Sequence, residues 1–189
     1  MSDSASEIKK ALAVLESGGL ILYPTDTVWG IGCDATDPVA VKKIYSLKQR
    51  EDSKALICLV ANDVMLEKYV ESVPEPAWDI IDLAQKPTTI VYDKPKGLAA
   101  NLVAADNTIA IRIASDPFCR QLIQRLGKPI VSTSANLADK PTPKSFSEVD
   151  AAILKGVDYI VLLEQEKHMN SPSAIIKLGN DGTVRVIRE

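Results

Sequence analysis

The chain has 189 residues, which predicts one folded domain with a core large enough to be stable by itself. Its hydrophobic content of 46% and charged content of 25% are typical of soluble globular proteins. The net charge of −3 gives no basis for general nucleic-acid binding, and no apolar run approaches the roughly 18 to 20 residues that span a bilayer. The polar N-terminus lacks the apolar core of a signal peptide, so we expect a cytoplasmic protein with no membrane contact.

The cysteines and the histidine indicate neither a metal site nor a disulfide framework. Cys33, Cys58 and Cys119 are an odd, scattered set without a Cys-x-x-Cys spacing, which predicts free thiols in a reducing compartment. A reactive Cys33 would require an electropositive and accessible setting. The single histidine, His168, lies in a polar segment and is predicted to be on the surface.

The first helix and the first strand are predicted from a capping pattern and an apolar run. Ser4 and Glu7 have the spacing of a capping box, and a pair of glycines ends the helix that follows. Residues 20–23 (LILY) predict a short buried strand. Pro24 ends this strand because proline has no N–H to donate to a neighbouring strand.

A polar, glycine-containing turn follows the first strand. It begins with residues 25–27 (Thr-Asp-Thr), a sequence that is most often an ordinary turn or cap. It continues through Gly30 and Gly32, where we expect the backbone either to take a positive φ or to lie against a ligand.

The helix after this turn is predicted from its two ends. Asp37 is a suitable N-cap, and Pro38 is favoured at the first helical position. The helix ends at residues 48–50 (Lys-Gln-Arg), and cations there favour the helix dipole, which predicts a solvated terminus when nothing else is considered.

The remaining elements alternate irregularly between strands and helices, which predicts a single α/β domain with a mixed, twisted sheet and helices on its faces. The predicted strands are 55–60, 88–92, 109–113, one beginning at 129–131, 159–163, 174–178 and 184–187. The predicted helices are 63–69, 77–85 with Ile80, Ile81 and Leu83 inward, 117–126 and 146–154.

Polar side chains occur within one of these apolar strands and directly after another. Arg112 alternates with isoleucines in strand 109–113 and is therefore predicted to lie on the face opposite to them. Residues 132–136 (Ser-Thr-Ser-Ala-Asn) follow an apolar strand, as the 25–27 turn does. Polar loops at strand ends are the usual way in which an α/β sheet forms a ligand crevice.

Several blocks together resemble the threonylcarbamoyl-adenylate synthase family, which has the YrdC-like domain. These blocks are YPTDTVWGIG, Lys48-Gln49-Arg50, the Ser134-Ala135-Asn136 triplet followed by KPTP, IAIRIASDP, SPSAIIKL and VRVIRE. The resemblance covers nearly the whole chain, so we expect residues 1–189 to form one YrdC-like domain. It implies an open, twisted sheet with a large concave cavity, as in the YrdC and RibB-like fold.

The reaction that the resemblance implies joins ATP, L-threonine and bicarbonate into threonylcarbamoyl-adenylate and releases pyrophosphate, which makes the enzyme a nucleotidyltransferase. The product would pass to a tRNA threonylcarbamoyl transferase complex that modifies adenosine 37, and a weak contact with RNA is also implied. Mg²⁺ is expected with the ATP, because the triphosphate needs a counter-charge. No acidic cluster in the sequence indicates a dedicated metal site.

The resemblance also implies the residues of the site. Lys48 and Arg50 are the candidate catalytic residues. The candidate ATP-binding residues are Lys48, Arg50, Ser134, Asn136 and Arg188. The candidate threonine-binding residues are Thr25, Thr27, Arg112, Ser132 and Ser173. These residue types suit phosphoryl chemistry, which needs positioning and the cancellation of negative charge.

Three other interpretations compete with this one. Residues 30–35 fit a G-x-G-x-x-A dinucleotide fingerprint, but Pro24 ends the strand before them and Pro38 starts the helix after them, which contradicts that motif. The acidic metal-binding motif of the riboflavin-pathway butanone-phosphate synthase, a relative at the level of the fold, is not apparent. The serious alternative is a catalytically inactive YrdC-like paralogue that binds nucleotide or RNA.

Overall fold

A computed structural model describes residues 3–49, 56–169 and 171–189. These residues form one sheet of nine strands with six α-helices and two short 3₁₀ helices, Ala100–Leu102 and Phe146–Glu148. The strands are β1 (Ile21–Tyr23), β2 (Gly30–Gly32), β3 (Ile57–Val60), β4 (Thr88–Asp93), β5 (Thr108–Ile113), β6 (Ile130–Ser134), β7 (Tyr159–Ile160), β8 (Ala174–Leu178) and β9 (Val184–Arg188). The α-helices are α1 (Ser4–Glu16), α2 (Pro38–Lys48), α3 (Asp63–Tyr69), α4 (Pro76–Leu83), α5 (Pro117–Leu126) and α6 (Ala151–Gly156).

The sheet is open and mixed, as the sequence predicts. Within the described residues its strand order is β7-β1-β2-β6-β3-β5-β4-β8-β9. The pairs β1/β7, β3/β5 and β4/β8 are parallel, and the other neighbours are antiparallel. Strands that are far apart in the sequence therefore become neighbours, and the polar loops after β1 and β6 lie close together.

The sheet has a hydrophobic core on each face. Leu20 and Leu22 belong to the larger cluster, whereas Ile21 and Tyr23 belong to the cluster beneath α1 and α5. This alternation follows from the two-residue period of a β-strand. It explains why strands such as β1 read as continuous apolar runs.

The first two strands form a hairpin, and the positive φ that the sequence suggested for its two glycines is not found. Gly30 and Gly32 lie in β2, where Gly30 pairs with Tyr23, and neither has a positive φ. A Cβ on Gly32 would lie 2.7 Å from the Tyr23 ring and 2.9 Å from the Val131 carbonyl oxygen. Close packing is therefore what requires glycine here. The position of these glycines inside a strand also contradicts the dinucleotide fingerprint.

Helix caps follow the predicted pattern in most cases. Asp37 accepts hydrogen bonds from the Val39 and Ala40 N–H groups at 2.8 and 3.2 Å, and Pro38 begins α2 as expected. The capping-box prediction for α1 is wrong, because Asp3 is the N-cap. Glu7 is instead buried and accepts hydrogen bonds from Tyr159 in β7 and from Leu162 just after it.

Three other predictions are wrong in their boundaries or orientation. Leu83, predicted to face inward, is 79% exposed at the end of α4. The helix predicted over 146–154 is a 3₁₀ turn followed by α6, because Asp150 caps a new helix through the Ala152 N–H. The strand predicted over 159–163 is limited to Tyr159–Ile160. Among the described residues, no helix combines the length and apolar character needed to traverse a bilayer.

Candidate active site

A cavity of about 340 Å³ opens on one face of the sheet. Ala110 and Arg112 of β5 line it, while Ile109 and Ile111 pack into the larger core, which confirms the predicted orientation of Arg112. Its remaining polar lining is a set of hydroxyl side chains and a second arginine: Thr27, Ser132, Thr133, Ser134, Thr142, Ser173 and Arg188. None of the described residues that line the cavity is acidic. The arrangement therefore suits a small anionic ligand.

The turn after β1 is held together by the hydroxyl of Thr25. This oxygen donates to the Val28 carbonyl at 2.7 Å, and it accepts from the Thr27 and Val28 N–H groups at 3.1 and 3.2 Å. It also lies 3.0 Å from the Thr27 hydroxyl. Thr25 thus stabilises the turn through these hydrogen bonds. It does not line the cavity, whereas Thr27 does.

Arg112 is buried, with 4% of its side chain exposed, and is ion-paired with Asp26. Its Nη2 lies 2.8 Å from Asp26 Oδ1 and 3.4 Å from the Thr27 hydroxyl. Its Nε is buried and has no hydrogen-bond partner among the described residues. A buried donor without an acceptor is costly, and the Arg112 side chain lines the cavity in which an anionic ligand would bind.

Lys48 is buried at the end of α2, with only 2% exposed, and so is not the solvated cation that its place at a helix end suggests when taken alone. Its Nζ donates to the Asn136 carbonyl at 2.6 Å and also to the Ser134 carbonyl. The Lys48 carbonyl accepts from the Ala138 N–H at 2.9 Å. Lys48 therefore joins the end of α2 to the loop after β6. Arg50 lies outside the described residues.

The loop after β6 is closed by the side chain of Asn136. Its Nδ2 donates to the Leu137 and Lys140 carbonyls at 2.9 and 2.8 Å, and its Oδ1 is buried without a partner among the described residues. Ser134, at the end of β6, pairs with Gly30 of β2 and lines the cavity. Asn136 does not line it, and so in this structure its side chain shapes the loop.

The last two strands supply the opposite wall. Arg188 Nε donates to the Ser173 carbonyl at 2.8 Å, and Nη2 lies 3.4 Å from the Ser173 hydroxyl. That hydroxyl is 2.8 Å from the hydroxyl of Thr89. Partial burial and the nearby positive charge of Arg112 lower the pKa of Arg188 below its ordinary value. Two cations therefore face one cavity, and an anion between them would relieve their repulsion.

The cysteines and acidic residues give no sign of thiol or metal chemistry in the described part of the chain. Cys33, Cys58 and Cys119 are buried free thiols, and burial raises the pKa of Cys58 to about 12. Burial also raises the pKa of Cys33 well above its ordinary value, so the setting required for a reactive thiol is not present. No group of three His, Cys, Asp or Glu side chains converges as a metal site among these residues. His168 is exposed, as predicted.

The structure brings six of the ten predicted site residues to the cavity wall: Thr27, Arg112, Ser132, Ser134, Ser173 and Arg188. Thr25, Lys48 and Asn136 lie in the framework behind it. Sequence reasoning missed Thr142, which lines the cavity, and the partner of Arg112, Asp26. A carboxylate between two hydroxyls was visible at position 26, but no pattern in the sequence connects it to a strand 86 residues away.

A model of the Sua5/YciO/YrdC family, described as telomere recombination, matches residues 13–189. The chain therefore belongs to this family. Among its relatives is the threonylcarbamoyl-AMP synthase of Pseudoalteromonas translucida, 35% identical over 187 residues that cover 97% of this chain and 98% of the relative. A putative threonylcarbamoyl-AMP synthase of Methanocaldococcus jannaschii is 36% identical and covers 95% of this chain and 86% of the relative.

Solved structures agree in fold. Sua5 of P. abyssi in complex with L-threonine has a TM-score of 0.83 and 27% identity, with 94% of this chain and 52% of that chain covered. YciO of E. coli has a TM-score of 0.84 and 26% identity, with 100% of this chain and 91% of that chain covered. This chain thus spans about half the length of the Sua5 chain and most of the YciO chain.

Proposed function

We propose that this protein is an L-threonylcarbamoyladenylate synthase, a nucleotidyltransferase that joins ATP, L-threonine and bicarbonate. The observation that carries the proposal is the 35% identity with the Pseudoalteromonas threonylcarbamoyl-AMP synthase across 97% of this chain. A cavity lined by hydroxyls and two arginines supports it, because both the carboxylate of an amino acid and the phosphates of ATP are anions that arginine binds well.

The threonine end of the cavity is proposed to lie at the β1 turn and β5. Arg112 would bind the threonine carboxylate, because it lines the cavity and a guanidinium suits a carboxylate. Thr27, Ser132 and Ser173 would supply hydroxyls to the rest of the amino acid, and Thr25 would hold the turn in shape. The L-threonine complex of P. abyssi Sua5 supports a threonine site on this fold.

The nucleotide end is proposed to lie between the loop after β6 and β9. Ser134 and Arg188 would contact phosphate oxygens, with Asn136 and Lys48 holding the loop that carries Ser134. Arg50, two residues after Lys48 in the sequence, would add a second positive charge. These contacts would orient the α-phosphorus and stabilise the charge that develops on its oxygens, which is most of what phosphoryl transfer requires.

The reaction is proposed to proceed in two steps. The threonine amine and bicarbonate form a carbamate with loss of water, and a carbamate oxygen then attacks the α-phosphorus while pyrophosphate leaves. The described residues offer no protein site for a metal, so Mg²⁺ would arrive bound to ATP and would offset part of the triphosphate charge. The product would then pass to a tRNA threonylcarbamoyl transferase complex, with at most weak contact between this protein and RNA.

The test is pyrophosphate release from purified protein given ATP, L-threonine, bicarbonate and Mg²⁺, with and without threonine. We expect release that requires threonine. Arg188→Ala and Arg50→Ala should each lower it by about tenfold or more, since each removes a cation proposed to contact the nucleotide. Arg125→Ala, on the exposed face of α5, is the matched control and should leave the rate unchanged.

The alternative function gives a different result in the same experiment. An inactive paralogue would bind ATP but release no pyrophosphate in response to threonine. That outcome, with the protein folded, would overturn the proposal.

A further inference from the structure

A buried carboxylate lies beside the cavity without a role in the proposed reaction. Asp26 is held between two threonines that are candidates for the threonine site, and its side chain is 10% exposed. Its Oδ1 accepts a hydrogen bond from Arg112 Nη2 at 2.8 Å. A charge-assisted pair in this largely buried setting is held in place, because separating the groups would leave each desolvated charge without its partner.

The second carboxylate oxygen of Asp26 is also occupied. Oδ2 accepts from the Ser115 hydroxyl at 2.7 Å and lies 3.4 Å from the Ser115 N–H. Arg112 is in β5 and Ser115 lies two residues after its end. Asp26 therefore attaches the β1 turn to the end of β5 at two points, and the position of the Arg112 guanidinium depends on both.

Asp26 is placed to act through Arg112 and not on the ligand itself. Arg112 and Thr27 line the main cavity, whereas Asp26 and Ser115 line a separate cleft of about 280 Å³ on the other side of the ion pair. The pair thus forms part of the wall between the two spaces. With Nη2 bonded to Asp26 and Thr27, the Nε of Arg112 remains buried and without an acceptor among the described residues.

We propose that Asp26, supported by Ser115, is a positioning residue that orients Arg112 to receive the carboxylate of the amino-acid substrate. This inference rests on the proposed function, because that function supplies the amino acid. In the empty cavity Asp26 balances the buried charge of Arg112. When the substrate binds, the guanidinium already has its orientation, and little conformational freedom is lost on binding.

The experiment measures L-threonine affinity by titration calorimetry and the KM values for threonine and ATP. Asp26→Asn keeps the size of the side chain but removes its charge. We expect threonine affinity to fall on the order of tenfold or more, with the KM for ATP changed less than about twofold. Ser115→Ala should weaken threonine binding in the same direction by a smaller factor, and it decides the question if Asp26→Asn does not fold.

Two comparisons separate positioning from a general loss of structure. In an Arg112→Gln background, Asp26→Asn should produce no further loss of threonine affinity, since the residue through which it acts is gone. Asp34→Asn is the matched control, because Asp34 is also buried and paired with a cation, Lys128, at 2.7 Å. It does not line the cavity and should leave threonine affinity unchanged even if it lowers stability.

Each outcome bears on the inference. Wild-type threonine affinity in Asp26→Asn, or a loss that persists in the Arg112→Gln background, would overturn the positioning role while leaving the proposed function intact. Absence of threonine binding by the wild-type protein would overturn the proposed function and this inference with it.

Discussion

Cations near the cavity are held in different ways. Arg112 and Arg188 line it and are fixed by partners at their guanidinium groups. Lys48 is enclosed, and its ammonium binds the backbone carbonyls of Ser134 and Asn136. A compact ammonium with several donors suits a cluster of carbonyls, whereas the planar fork of arginine suits a carboxylate or phosphate.

Lys48→Met is expected to destabilise the protein by about 1–3 kcal/mol, because it removes the donor from two buried carbonyls while keeping most of the apolar stem. Lys43→Met is the matched control, since Lys43 donates to the Gly18 carbonyl at 2.7 Å on the surface. Its effect should be below about 0.5 kcal/mol. Urea unfolding of both variants measures the difference, and equal effects would contradict a buried tether at Lys48.

The strand face on which Arg112 lies could be predicted from the sequence, whereas the burial of Lys48 could not. Arg112 interrupts the apolar alternation of one strand, so local periodicity alone placed it opposite the isoleucines. The burial of Lys48 depends on a loop 86 to 88 residues away in the chain. A cation at a helix end is usually solvated, and nothing in the local pattern indicates that a distant loop will cover it.

At the scale of elements, the β1–β2 hairpin shows how packing decides residue type. The sequence indicated that Gly30 and Gly32 were special but suggested a reason in backbone torsion or ligand approach. The structure gives another reason for Gly32. A side chain there would collide with the Tyr23 ring on β1 and the Val131 carbonyl on β6. The same hairpin brings the β1 turn against β6, where Ser132 and Ser134 lie.

Gly32→Ala should therefore destabilise the protein by about 1–3 kcal/mol through overpacking. Gly30→Ala is the graded comparison, because its nearest neighbour would be the Ser132 hydroxyl at 3.2 Å, which can shift. Thermal or denaturant unfolding should show that Gly30→Ala lowers the free energy of unfolding clearly less than Gly32→Ala does. A larger loss for Gly30→Ala would show that the contact with Tyr23 does not control this hairpin.

Most element types could be predicted, and most errors concern where an element ends. The cap formed by Asp37 with Pro38 predicted α2 correctly, and the helix predicted over 117–126 is α5. The sequence predicts one helix over 146–154 and not the new helix that begins after Asp150, although Asp is a favoured N-cap. The helical period predicts that Leu83 faces inward. Leu83 is instead the last residue of α4, and its side chain is exposed to solvent.

At the scale of the molecule, strand order is what the sequence could not give. Apolar runs identify strands, but nothing local states that β6 lies between β2 and β3 or that β7 pairs with β1. The cavity depends on this order, because its wall combines residues of β3, β4, β5, β6, β8 and β9. The family resemblance supplied the expectation of a concave cavity, and the strand order explains how it forms.

Acid should destabilise the whole molecule in part through Glu7, which joins α1 to residues 159 and 162. Burial alone would raise the pKa of Glu7, but hydrogen bonds from the Leu162 N–H, the Tyr159 hydroxyl and Lys10 outweigh it and lower that pKa below its ordinary 4.5. The ionised form is thus favoured in the folded state. The contribution of ionised Glu7 to the free energy of unfolding is fully present above about pH 4.5. It is lost as the pH falls through the lowered pKa of Glu7 in the folded state.

The stability difference between wild type and Glu7→Gln should accordingly shrink as the pH is lowered from about 6 to about 3. Glu16→Gln, at the exposed end of the same helix, is the control and should show no such trend. Urea unfolding at several pH values measures both. A constant difference for Glu7→Gln would mean that its charge does not stabilise the fold.

The pairing of β1 with β7 has a consequence for biosynthesis. Ile21 lies beside Tyr159, so during translation the outer edge of β1 stays unpaired until most of the chain has been made. Ser173 and Arg188 emerge later still, and the cavity is complete only when β8 and β9 have joined the sheet. Such long-range closure slows folding and leaves strand edges exposed on the ribosome-bound chain. The nascent chain therefore acquires its binding site only after β8 and β9 have been synthesised and are free to pair.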